Sequence, residues 1–78
     1  NPFNPHTIIP YYVSGSDAIE IIVYDMRGRM VDQFTNFHNS NGWYEFNFHS
    51  EQLSSGIYFY QLLIHNEIIS QKKMILLK

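Results

Sequence analysis

Four histidines, at positions 6, 38, 49 and 65, are the first candidates for chemistry in this chain of 78 residues, which has no cysteine. A zinc site needs nitrogen or sulfur ligands at short, recurring spacings, and these gaps match none of them. The seven carboxylates (Asp17, Glu20, Asp25, Asp32, Glu45, Glu51 and Glu67) stand singly and build no calcium loop. Glycosidase-like chemistry would need two of them facing across a cleft, and a domain this small leaves little room for one. Ser54-Ser55-Gly56 is not a nucleophile elbow, which requires glycine on both sides of the serine and a helix after it. It reads as a turn into a strand. Asp25-Met26-Arg27-Gly28-Arg29 offers two arginines to an anion. Its plainer reading is a hairpin turn with Gly28 at positive φ, in which Asp25 accepts from turn amides or pairs with Arg29. No catalytic residue, metal site or cofactor is expected.

The elements that carry these residues are strands. Residues His6 to Val13 place Thr7, Ile9, Tyr11 and Val13 on one face, and Pro10, without an amide proton, demotes the run to an edge strand. Ala18 to Met26 alternates most clearly, with Ile19, Ile21 and Val23 inward; Ile22 and Tyr24 imply a partly covered outer face. Arg29 to Phe37 returns as its hairpin partner through Met30, Val31, Phe34 and Phe37. Trp43 to His49 sets Tyr44, Phe46 and Phe48 against Trp43, Glu45 and Asn47, and Leu53 anchors the following link. Ile57 to His65 aligns Tyr58, Tyr60, Leu62 and Ile64. A turn at Asn66-Glu67 then leads into a last strand, where Met74, Leu76 and Lys78 share one face and Lys73, Ile75 and Leu77 the other.

These signals predict an all-β fold, a small antiparallel sandwich or barrel of six to seven short strands, with residues 1–78 as a single domain. The expected core is Ile9, Tyr11, Ile19, Ile21, Val23, Phe46, Phe48, Tyr58, Tyr60, Leu62, Met74 and Leu76. A hydrophobic content of 45% is enough to fold and too high for a disordered tail. With five Lys and Arg and a net charge of −2 there is no basic stripe, which argues against nucleic acid as a partner. No apolar run approaches the roughly 18 to 20 residues of a membrane span. The opening Asn1-Pro2, without an initiating Met, reads as a piece of a longer protein; the lack of cysteine taken alone leans cytosolic but is compatible with secretion.

One feature is unusual for a soluble chain. The strongest apolar run, Met74-Ile75-Leu76-Leu77, comes at the very end, flanked by Lys72, Lys73 and Lys78, where most domains have polar, poorly ordered residues.

Four blocks occur in one order and spacing: NPFNPHTIIPYYV, IEIIVYDMRGRMV, LSSGIYFYQLL and KKMILLK. Together they resemble the type A C-terminal sorting domain of the type IX secretion system. Tyr24, Asp25, Gly28 and Arg29 match its hairpin motif; Gly56, Tyr58, Tyr60 and Leu62 match its third block; Lys73, Met74, Leu76 and Lys78 match its ending. Phe48-His49 stands where Trp-Asp is common, Gln61 where Arg is common, and Pro10 where a charged residue is usual.

The resemblance implies that the fold is a small antiparallel Ig-like β-sandwich and that the domain is a non-catalytic secretion signal of a longer secreted protein. It would direct a cargo through the type IX translocon across the outer membrane, and a sortase-like protease at the cell surface would then usually remove it. The segment from Lys72 to Lys78 (Lys72, Lys73, Met74, Ile75, Leu76, Leu77 and Lys78) is expected to carry recognition. Met74 and Leu76 would complete the core, while Ile75, Leu77 and the lysines are offered to the partner. Two other readings stay open. One is an Ig-like module that self-associates through its edge strands into an oligomer or filament. The other is a carbohydrate-binding appendage that uses Trp43, Tyr44 and the Tyr-rich strand.

Overall fold

A computed structural model describes residues 6–15, 17–49 and 53–77. Six strands follow in order: β1 (His6–Val13), β2 (Asp17–Tyr24), β3 (Met30–His38), β4 (Gly42–His49), β5 (Gly56–Ile64) and β6 (Glu67–Leu76). They form two antiparallel sheets, a two-stranded β1-β4 and a four-stranded β3-β2-β5-β6. No helix occurs among the described residues. The Asn1–Pro5 opening block and Lys78 lie outside the described residues.

The sheets pack face to face because each strand turns one apolar row inward. From the two-stranded sheet come Ile9, Tyr11, Val13, Phe46 and Phe48; from the four-stranded sheet come Ile19, Ile21, Val23, Tyr58, Leu62 and Leu76. Phe34 of β3 stacks on Phe46 of β4 at 4.6 Å between ring centroids, so β4 lies over β3. Beside that pair the Tyr11 hydroxyl meets His38 Nε2 at 2.8 Å, and the His38 ring stacks on Tyr44 at 3.6 Å. Leu53 packs against this core from the β4–β5 link, as expected.

Several expectations need adjusting. Tyr60 and Met74 are half-buried rather than buried, and Val13, absent from the expected core, is fully enclosed. Met30 and Phe37 are exposed. Phe34 opposes the inward Ile21, so Phe37, three residues on, falls on the outer face opposite Ala18. The register slips between Val23 and Tyr24, which turns Val31 toward the core and Met30 away from it. The β5–β6 turn is centred on His65-Asn66, with φ of 54° and 65°, one residue earlier than expected. Positive φ at both central residues gives the twist a two-residue hairpin needs.

Candidate recognition site

The last strand alternates strictly from Ser70 to Leu76. Lys72 opposes Tyr60 and Met74 opposes Tyr58 on the inner face; Gln71 opposes Gln61, Lys73 opposes Phe59 and Ile75 opposes Ile57 on the outer face. Directly opposed residues on antiparallel strands share a face, and burial follows parity from Lys73 to Leu76, whereas Lys72 is exposed although it belongs to the inner face. Leu76 is 4% exposed, whereas Ile75 is 60% and Leu77 74% exposed. Gln61 donates to the Gln71 side chain at 3.0 Å, closing one cross-strand contact on the outer face. That face continues through Ile57 and Phe59 of β5 and Ile22 and Tyr24 of β2, all half-buried. Its apolar surface therefore has no second layer among the described residues. Between Leu62 and Leu63 the pairing slips, so Ile69 has no opposite number, and both Ile68 and Ile69 are exposed.

The β2–β3 turn is built around one carboxylate. Asp25 Oδ1 accepts the backbone N–H groups of Arg27 at 2.9 Å and Arg29 at 3.0 Å, and Oδ2 accepts from Arg29 Nε at 2.8 Å. The Gly28 N–H donates to the Asp25 carbonyl at 3.0 Å, and Gly28 takes φ of +82°. The Arg29 amide acts most strongly and, together with the Arg29 guanidinium and the Arg27 amide, holds the Asp25 carboxyl below its ordinary range, outweighing the opposing effect of desolvation. Both alternatives read from the sequence for Asp25 thus occur together.

Three of the sequence blocks converge here. The Asp25 to Arg29 turn and the start of β5, with Gly56 and Tyr58, line one open cleft of about 300 Å³. Gly56 opposes Leu76 in the β5–β6 ladder, which brings the end of the last strand to the same end of the sheet. The Tyr58 hydroxyl donates to the Ser54 carbonyl at 2.8 Å, fixing the entry to β5. Tyr60 and Leu62 lie further along β5, on its inner face. No group of three His or carboxylate side chains placed to hold a metal occurs among the described residues.

The model of the secretion system C-terminal sorting domain family matches residues 1–77. The chain belongs to that family. No curated protein and no solved structure matches the chain. This sorting domain is therefore a C-terminal signal for type IX secretion, and its interaction is with that machinery. A sorting domain is not catalytic, and it marks its protein for export across the outer membrane to the cell surface or the extracellular space.

Sequence reasoning missed one surface feature. A sugar platform would need Trp43 and Tyr44 on one face, but they point to opposite faces of β4. Tyr44 turns inward onto His38, with its hydroxyl donating to the Ser40 carbonyl at 2.9 Å. Trp43 is 72% exposed and meets Tyr12 of β1 edge to face at 5.5 Å. The pairing was available from the alternation of β4 alone; its partner Tyr12 required the β1–β4 register.

Proposed function

We propose that the sorting domain is read on the outer face of its last strand, at Lys73, Ile75 and Leu77, while Met74 and Leu76 serve the fold. One observation carries this: neighbouring residues of a single apolar run divide between core and solvent, Leu76 at 4% exposure and Leu77 at 74%. Leaving two aliphatic side chains in water at the end of an edge strand invites pairing and aggregation unless something is meant to cover them. The translocon, or a carrier that delivers cargo to it, covers that face during export, and a sortase-like protease then separates the domain from its cargo. Lys72 belongs to the inner face and is not part of this surface.

The test is export of a reporter fused to the domain. Ile75→Ser with Leu77→Ser removes the outward side chains and leaves Met74 and Leu76 in place. The double variant should fold with a stability within about 1 kcal/mol of the parent, as exposed strand positions do, yet its reporter should stay in the periplasm. Normal export by the folded variant would refute the proposal.

A further inference from the structure

On the inner side of β6 the two-stranded sheet stops short. Pro10 and Tyr12 of β1 and Trp43 of β4 stand across from Ile69 and Lys72 of β6, around an open groove of about 200 Å³ floored by Tyr60. Two aromatic rings at the rim of a small groove are kept in water at a cost, since aromatic side chains carry the largest hydrophobic surfaces in a chain. The groove runs beside a strand edge with no partner, because β6 ends the sheet. Two other edges are already occupied or blunted. In β3, Asp32 accepts the Gln33 N–H and Asn36 accepts the Phe37 N–H, each at 2.8 Å, so two amides of that edge strand are taken by its own side chains. In β1, Pro10 has no amide to offer. From Gln71 to Leu76, β6 pairs regularly with β5 on one side only.

Charge selects the occupant. The ion pair between Asp25 and Arg29 is the one salt bridge among the described residues, so Lys72 and Lys73 have no carboxylate in reach there. A second copy fits poorly, because antiparallel pairing of two β6 strands about their middle gathers four lysines, and like charges facing across strands repel. A neutral sugar could stack on Trp43 but would leave the backbone edge and both lysines unmet. We propose that β6 takes an extended acidic segment of another protein as an added strand. Its backbone would pair with the free edge, one apolar side chain would enter the groove beneath Tyr12 and Trp43, and a carboxylate would meet Lys72. Main-chain bonds give such strand addition its affinity, and pockets for alternate side chains give it specificity. The inference does not rest on the outer-face reading, since it uses the opposite face and the edge.

The chain can be tested with a random heptapeptide library displayed on phage. Enriched peptides should alternate Asp or Glu with apolar residues and lack proline at their centre. Trp43 is the only tryptophan, so its emission reports the groove directly, and a synthetic enriched peptide should change it saturably. Backbone amides of β6 should exchange more slowly in the complex. Lys72→Glu, checked for fold by circular dichroism, should weaken binding about tenfold, the scale of one lost charged contact, and Ile75→Ser with Leu77→Ser should leave it unchanged. The proposal is overturned if enrichment is no greater than on the Lys72→Glu chain, or if enriched peptides lack acidic residues. It is equally overturned if β6 amides gain no protection, if the chain alone dimerises through β6, or if cellohexaose but no peptide shifts the Trp43 emission.

Discussion

At the scale of the residue, the β2–β3 turn depends on Gly28 and Asp25. A Cβ on Gly28 would meet nothing within 4 Å, so any cost of substitution there is conformational rather than steric. Gly28→Val forces a β-branched residue to φ near +82° and should destabilise by about 1 to 3 kcal/mol, read as a lower thermal midpoint. Asp25 makes a prediction about acid. Its folded-state pKa lies below the ordinary value of 3.8, so it contributes stability above that pH and loses the contribution as pH falls through the folded value. Asp25→Asn should therefore lower the urea midpoint at neutral pH and flatten its decline in acid; an unchanged acid slope would show that the carboxylate does not hold the turn. This turn was legible in the sequence because a glycine between two arginines, three residues after an aspartate, admits few readings. The His65-Asn66 turn was not, because histidine at positive φ has no comparable local signature.

At the scale of the element, the two sheets are joined on one flank by aromatics around His38. It accepts or shares the Tyr11 hydroxyl proton and stacks on Tyr44, so one β3 side chain touches both strands of the opposite sheet. His38→Ala should cost about 1 to 3 kcal/mol from the lost hydrogen bond and stacking. His38→Phe, which keeps the stacking, should cost less in the same urea titration. Equal midpoints for Ala, Phe and the parent would mean that this flank carries no stability. The inward rows of β2 and β4 could be read from alternation alone, since Ile19, Ile21, Val23, Phe46 and Phe48 are all buried. Met30 could not, because the bulge at Val31 resets its face, and Phe37 falls outward because it lies an odd number of residues from the inward Phe34.

At the scale of the molecule, a two-stranded sheet covers a four-stranded one, and the mismatch in width shapes the surface. Tyr60 and Met74 point inward as alternation requires, yet remain half-buried at the uncovered side near β6. How far a cover extends is a property of both sheets together, and no local pattern in either strand encodes it. The incomplete cover leaves part of the inner face of β6 accessible, and its place at the end of the sheet leaves its edge accessible as well. Family membership accounts for what the domain is for, and the proposed reading makes β6 the strand where its fold and its function meet. Comparing adjacent residues, Leu76→Ala with Leu77→Ala, tests that most directly. For each, stability is measured by urea unfolding and export by the fraction of a fused reporter outside the cell. Leu76→Ala should lose about 2 to 5 kcal/mol, as buried leucines do, and its export should fall only as its folded fraction falls. Leu77→Ala should keep its stability and lose export. If Leu77→Ala exports normally while folded, or if both variants lose export strictly in proportion to stability, the last strand does not divide its two faces between folding and recognition.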